Sequence, residues 1–513
     1  MKPNKKTKLN WKLLVILAGV QFAFAALADD GAVTNSAGAA PVEVPAYNAD
    51  GATANAAEAA EIAALKKAVQ ALEEKVSTLE KERGTDQQSA EVQELDQKIR
   101  VVARQRELDQ EAAAAASKTQ PRLTIGAGGA TFSSADTNFS ISLHGLLQVD
   151  SRTFPADGGI RGNDTLLLRR ARPILQGTVF RDFDFLFVPD FGGNTVQIQD
   201  AYLNYRYIPA LQLEAGKFKS PVGLEQLQPD AVTSFNERSL ATDLVPNRDV
   251  GFELHGDLFG GALSYAGGIF DGSPDYNSTT TNSDYDDNKA FAGRVFAQPW
   301  KTSGVAWLQG LGFVAGGSYE VDRATATTVG TGLTPGYATD GQQKFFTYAT
   351  GVFANGTHWR LSPQAYYYYG PFGLLGEYVI SDQQVANTAG NSADLRNKAW
   401  EISGSWLLTG EAASYNGVTP RHPFDLHNGQ WGAWQLVARY AGLDIDSAAF
   451  PTFATSSTSA SAARAWSVGL NWYLNKNIRA NASYSRTTFS GGSTGAVTKQ
   501  PENAVFTRLQ LAF

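Results

Sequence analysis

The sequence predicts an all-β fold: a transmembrane antiparallel β-barrel of about 16 strands, preceded by a short N-terminal periplasmic coiled coil. Three observations carry this prediction. Hydrophobic residues alternate with period two from Leu123 to Phe513, long polar connections alternate with tight turns, and charge is low while aromatics and glycines are abundant.

Charged residues are 18% of the 513, aromatics 11%, and there are 50 glycines. Soluble α/β enzymes carry nearer a quarter charged residues. A sheet that meets lipid on one face and water on the other fits this composition. There is no cysteine and a single methionine, which excludes a disulfide framework, a thiolate nucleophile and a zinc–cysteine site. The formal charge of −7 argues against nucleic acid as the main partner, because phosphate backbones require a basic footprint.

Four segments follow one another along the chain. Lys2, Lys5, Lys6, Lys8 and Lys12 precede an apolar run from Leu13 to Ala26, and Ala26-Leu27-Ala28 reads as a cleavage site. Residues 1–28 are therefore expected to be a signal peptide, too short in its apolar part for a bilayer span of about 20 residues. No later apolar run reaches that length. Residues 29–58, rich in Ala, Gly, Asn and Pro, read as a flexible linker. Residues 59–117 carry Ile62, Leu65, Val69, Leu72, Val76 and Leu79 at spacings of three and four, a coiled-coil seam. Gly84-Thr85-Asp86 interrupts it, and Val92, Leu95, Ile99 and Val102 resume it in a shifted register. An isolated amphipathic helix lying on the barrel is the alternative, but lone polar helices are marginal in water.

Residues 123–513 form the barrel domain. Phe139, Ile141, Leu143, Leu147 and Val149 alternate with Ser140, Ser142, His144, Gln148 and Asp150. Trp466, Val468, Leu470 and Trp472 repeat the pattern near the end, against Ser467, Gly469 and Asn471. Polar stretches at 271–288, 324–342, 384–397, 412–430 and 448–463 read as long outer loops. Pro209-Ala210, Gly370-Pro371 and Asn475-Lys476-Asn477 read as tight periplasmic turns. A soluble β-sandwich would have shorter loops and fewer aromatics at strand ends. About 17 extended segments can be counted where an even number is expected. The weakest, 344–355, reads as part of a loop folded inward. Sixteen strands leave an aqueous lumen.

Six motifs in order then carry a resemblance. They are Leu168-Arg169-Arg170-Ala171-Arg172, Gly216-Lys217-Phe218-Lys219-Ser220-Pro221-Val222-Gly223-Leu224-Glu225, Glu237-Arg238-Ser239-Leu240, Arg248-Asp249-Val250-Gly251, the run from Ser362 to Gly373, and Leu470-Asn471-Trp472-Tyr473-Leu474-Asn475. Together they resemble the phosphate-selective porin O and P family over residues 123–513. The resemblance implies a homotrimer of sixteen-stranded barrels in the outer membrane, in contact with lipid and lipopolysaccharide. It also implies a third loop, Ser220 to Arg248, folded into the lumen, and passage of small anions such as phosphate along basic residues. Two stretches depart from the phosphate-specific pattern. Gln226 follows Glu225 with no lysine before Arg238, and Asp322 to Lys344 offers only Arg323 and Lys344 in place of an arginine ladder.

A porin needs no nucleophile; its chemistry is electrostatic focusing in a narrow wet passage. Arginine suits phosphate because its planar fork donates two parallel hydrogen bonds. Arg170 and Arg172 share a strand face and are expected to point inward, with Arg169 pointing out. Arg206, Lys217 and Lys219 are further pore-lining candidates, and Arg238 and Arg248 within the third loop are the expected constriction bases. Salt-bridged structural arginines and ion pairs internal to the loop are the competing reading. The acidic cluster Asp284, Asp286 and Asp287 lacks the twelve-residue calcium pattern. None of the five histidines forms a two-histidine helix motif, so neither metal, cofactor nor catalytic residues are expected. The sequence thus leaves a diffusive anion-preferring porin, a phosphate-specific channel, or a structural barrel tied to the cell wall through its coiled coil.

Overall fold

A computed structural model describes residues 63–64, 66–78, 87–155, 162–193, 195–278, 286–324, 334–491 and 500–513. The expected signal peptide and linker, and Ile62, Leu65 and Leu79 of the seam, lie outside the described residues. Residues 66–78 and Gln87–Thr119 are helical, and Val69, Leu72, Ile99 and Val102 are exposed there. Among the described residues, no helix is long and apolar enough to cross a membrane.

The strands supply the membrane-crossing surface. A short hairpin, β1 (Arg122–Gly126) and β2 (Gly129–Ser133), comes first. Then follow β3 (Ser140–Thr153), β4 (Thr165–Val179), β5 (Phe183–Asp190), β6 (Gln197–Ile208), β7 (Leu211–Lys219) and β8 (Arg248–Leu258). Next are β9 (Leu263–Phe270), β10 (Ala290–Ala297), β11 (Leu311–Arg323), and the two-stranded β12 (Tyr337–Ala338) and β13 (Lys344–Phe346). The chain finishes with β14 (Val352–Tyr369), β15 (Phe372–Asn387), β16 (Ser392–Leu407), β17 (Ala433–Asp444), β18 (Ala462–Tyr473), β19 (Ile478–Ser490) and β20 (Glu502–Ala512). From β3 to β20, leaving out β12 and β13, each strand pairs antiparallel with the next, and β20 pairs back onto β3 with Arg508 opposite Asp150. Sixteen strands therefore close a barrel with no free edge. Where β20 stops, β2 takes its place beside the start of β3, Phe132 opposite Ile141.

Burial is inverted relative to a soluble protein. In β17, Gln435 and Arg439 are buried on the lumen face while Leu436 and Tyr440 are exposed on the other. Lipid meets the exposed apolar residues, so they need no protein cover. Aromatic pairs mark both ends of that outer face: Trp400 and Trp406 in β16, Trp434 and Tyr440 in β17, Trp466 and Trp472 in β18. Cross-strand rings stack there, Trp434 on Trp472 at 5.0 Å and Phe372 on Trp406 at 5.9 Å.

Three loop predictions change. The stretch 384–397 is not a long loop: β15 runs to Asn387 and β16 starts at Ser392, because polar residues alternate on its lumen face as well as in loops. The long connection 408–432 lies at the same end as Pro209-Ala210 and Gly370-Pro371, since β16 leads into it and β17 out of it. Of the doubtful segment 344–355, Lys344–Phe346 forms the small hairpin with β12, but residues from Val352 onward belong to β14.

Loop 3, residues 220–247, crosses the lumen, and the wall holds it by its carbonyl oxygens. Gln148 donates to the carbonyl of Asp230 at 3.1 Å and Gln510 to that of Ala231 at 2.8 Å. Arg479 reaches Thr233 and Asn471 reaches Ser234, at 2.9 and 3.0 Å. Arg508 binds the carbonyl of Asn236 and Arg439 that of Glu237, at 2.9 and 3.1 Å. On the opposite side, Glu377 of β15 accepts the Leu224 and Glu225 N–H groups at 3.0 and 3.3 Å, capping the helical turn Leu224–Leu227. Gly316 of β11 leaves room for the loop to start, since a Cβ there would collide with the Val222 carbonyl. Gly316→Leu is expected to push loop 3 off the wall. Limited proteolysis should then cut within 220–247 while the barrel keeps its heat-resistant mobility on gels; an uncut loop would refute this packing argument.

Candidate functional site

The site begins with an irregularity in β4. Gln148 pairs with Arg170 but the next residue, Val149, pairs with Leu168, so Arg169 is the extra residue of a β-bulge. The bulge turns Arg169 inward, against the prediction that it points out, and it donates to Glu237 of loop 3 at 2.7 and 2.9 Å. The same shift puts Leu166 and Leu168 on the outer face, exposed, while Arg170 and Arg172 stay buried inside.

Loop 3 delivers Asp230 into the middle of these bases. Arg172 pairs with Asp230 and with Asp190 of β5, the latter at 2.6 Å. Arg238 reaches Asp230 at 2.7 Å, Arg170 at 3.4 Å and Arg248 at 4.0 Å. Arg238 also donates to the carbonyls of Glu225 and Gln228, and Lys219 donates to the Gln228 carbonyl at 2.7 Å. Arg248 is held by a two-pronged bond to Asp200 of β6, at 2.9 and 3.1 Å. Five of the seven residues chosen from sequence thus gather around one carboxylate.

Burial opposes ionisation of Asp230, but the guanidiniums of Arg170, Arg238 and Arg172 and the Lys219 ammonium hold its carboxyl well below the usual carboxylate range. Burial opposes Glu237 too, and its bonded partner Arg169 holds it at about 2. Asp243 of the same loop behaves oppositely: burial, with Asp340 and Asp275 nearby, pushes it well above the usual range.

Two cavities meet at this cluster. One, of about 820 Å³, opens at the turn end and is lined by Gly145, Phe513 and Asn475 to Ile478. The other, of about 260 Å³, lies on the loop side and is lined by Arg169, Arg170, Arg172, Arg238, Arg248, Asp230, Glu237 and Asp243. Arg172, Asp230 and Arg248 line both cavities, so they stand where one passes into the other. Five guanidiniums line the loop side with Asp230, Glu237 and Asp243, and burial biases Asp243 toward its protonated form.

The other two candidates lie apart. Arg206 pairs with Asp184 at 2.6 Å and donates to the Arg181 carbonyl, half exposed near the turn at 180–182. Lys217 is buried and lines neither cavity. Sequence reasoning missed the wall arginines Arg439, Arg479 and Arg508. Each sits on a strand whose alternation pointed it inward, and that signal was available. A separate buried group, Glu320, Asp322 and His358, has ligand-like atoms close together. Arg360, donating to Glu320 at 3.0 Å and to Asp275 at 2.7 Å, supplies the positive charge there.

From the turn end, the connection 408–432 reaches loop 3. The Tyr415 hydroxyl donates to the Leu224 carbonyl at 2.6 Å, Gln228 donates to the Tyr415 carbonyl at 3.0 Å, and Tyr415 stacks on Tyr366 of β14 at 5.7 Å.

The carboxylate shifts fix how acid should act. Glu237 is depressed below its ordinary 4.5, so its contribution to holding loop 3 is complete above pH 4.5 and is lost as pH falls toward about 2. Current through the lumen in planar bilayers should therefore stay steady from pH 7 to 5 and turn noisy only below about 4.5. Noise that begins between pH 7 and 5 would contradict the Arg169–Glu237 lock.

Comparison with known proteins agrees with this architecture. The family model for phosphate-selective porin O and P matches residues 141–513. Porin O of Pseudomonas aeruginosa is 24% identical over 388 residues, covering 70% of this chain and 85% of that protein. Among solved structures, the outer membrane channel DcaP of Acinetobacter baumannii is 11% identical with a TM-score of 0.48, covering 73% of this chain and 98% of that one. An anion-selective porin from Comamonas acidovorans is 12% identical with a TM-score of 0.43, covering 73% and 100%. With most of its length matched by one family, this chain belongs to the phosphate-selective porin O and P family and is an outer-membrane porin, a channel and not an enzyme.

Proposed function

We propose that this porin passes small anions, phosphate among them, through a constriction formed by Arg170, Arg172, Arg238 and Arg248 around Asp230. The observation that carries this reading is that Arg172 and Arg248 line both cavities, and that five arginines line the loop-side one. An anion about 5 Å from one guanidinium gains about 1 kcal/mol in water-like surroundings and about 3 kcal/mol at an effective dielectric constant of 20. A wet constriction lies between those limits, so each arginine shifts the anion-to-cation ratio several-fold. The paired N–H groups of arginine add a fork that phosphate fits and chloride does not. The name of the Pseudomonas relative's family supports the same solute class.

The turn end is assigned to the periplasm, together with the helical segment. Val69, Leu72, Ile99 and Val102 leave an apolar stripe exposed in the single chain. Self-association as a coiled coil in a homotrimer would cover it. Cross-linking of the mature protein in mild detergent should trap three copies.

Reversal potentials across a potassium chloride gradient test the channel reading. The wild type should prefer chloride, and phosphate should reduce the chloride current. Arg172→Ala should lower the chloride-to-potassium ratio several-fold, whereas Arg206→Ala should leave it unchanged. Arg172→Lys keeps the charge, so it should retain anion preference while weakening the phosphate block. Cation preference in the wild type, or equal effects of the two alanine variants, would overturn the assignment. Removing 413–418 should raise conductance without changing selectivity, because that segment touches loop 3 from the turn side, away from the arginines.

A further inference from the structure

β7 and β8 bring Glu214 and Glu253 directly opposite each other in register, and both line the turn-side cavity. Facing residues on paired strands have Cβ atoms about 5 Å apart, and like charges placed so are destabilising. Glu253 is only 9% exposed, and its Oε2 has no hydrogen-bond partner among the described residues. Arg294 of β10 is an opposing charge that acts on Glu253 from nearby, without a hydrogen bond to its Oε2. It lines a small side cavity with Glu253, yet its own Nε is also without a partner among the described residues. His255 is engaged with Asn204 at 3.2 Å, and Asp257 accepts from Ser264 at 2.5 Å. Nothing in the fold requires two carboxylates here; one glutamine would serve the barrel better.

The same cavity ends at Arg172 and Arg248. Arg248 and Glu253 are five positions apart in β8, about 17 Å along the strand. Both residues line the same cavity, so a flexible solute of two separated charges has a lined path between them. One cavity therefore offers an anion site and, facing it, an unmet demand for a cation.

We propose that the Glu214–Glu253 pair is a binding station for the cationic group of a zwitterionic solute whose anionic group lies at Arg172 and Arg248. The inference rests on the reading of the two cavities as the solute path. It makes the channel selective for solutes that carry both charges some distance apart, such as ω-amino acids, over simple anions of the same length.

The test uses the full mature porin in planar bilayers, with chloride current as readout. The probes are 6-aminohexanoate, hexanoate and hexylammonium at equal concentration. A charge pair near 4 Å in water-like surroundings contributes about 1 kcal/mol, or about fivefold. Block by 6-aminohexanoate should therefore be at least about fivefold stronger than by either single-charge probe. The isosteric double variant Glu214→Gln/Glu253→Gln should abolish that advantage while chloride stays preferred over potassium. Each single variant, E214Q and E253Q, is measured as well, so a poorly assembling double variant does not decide the matter. Equal block by the three probes, or an advantage that survives both single substitutions, would overturn the proposal. Anion preference kept without any zwitterion advantage would fail this inference alone. Loss of anion preference in the wild type would fail the channel reading beneath it.

Discussion

Carbonyl satisfaction is the constraint on which this lumen depends. A loop led through the inside of a barrel exposes a backbone oxygen at every residue, and few of these can be left without a donor once water is displaced. Here successive carbonyls from Asp230 to Glu237 meet Gln148, Gln510, Arg479, Asn471, Arg508 and Arg439, drawn from five strands of the wall. The donors are side chains because the wall's own backbone groups are used in the sheet. Four of the strands involved, β17 to β20, are consecutive, so the loop runs across them as an extra layer. That layer fixes the position of Asp230, and everything in the arginine cluster is arranged around it.

The cluster works because its charges do not cancel. A buried guanidinium without a partner is expensive to keep, and one fully paired exerts little field. Asp230 is shared among Arg170, Arg172, Arg238 and Arg248, so no single arginine holds it alone. Asp190 and Asp200 hold Arg172 and Arg248 from the wall side and orient them. A permeating anion can then replace part of the compensation that Asp230 provides without leaving any group stranded. Repeated substitution of this kind lets an ion bind well enough to enter and weakly enough to leave.

Most of the barrel was legible because period-two alternation is a direct consequence of strand geometry, and it persisted through 123–513. What was not legible has local causes. Alternation assumes no irregularity, so a single bulged residue at Arg169 reversed the expected face of everything N-terminal to it in β4. Strict alternation would put Leu166 and Leu168 on the face of Arg170, and the bulge moves them outward. Polarity also marks a lumen-facing strand as readily as a loop, which hid the meeting of β15 and β16 near Asn387. The inward loop and its bases, Arg238 and Arg248, came from family motifs, and both line the loop-side cavity. Asp230 had been read only as a partner for ion pairs inside the loop. Its contacts with Arg170 and Arg172 join residues 58 or more apart in sequence, which no local pattern can show.

Net charge gives the opposite impression from the site. The chain carries −7, and a sphere with that charge would repel anions. Fields from exposed charges fade over about 8–10 Å at physiological ionic strength, so acidic residues on outer loops contribute little at the arginine cluster. Within the narrow passage the walls are of low dielectric and the nearest groups dominate. Burial raises the Asp243 carboxyl well above the usual range, which weakens its opposition to the arginines. An acidic protein can therefore present a basic throat. The quantity that matters is local: five arginines line the loop-side cavity against Asp230, Glu237 and Asp243.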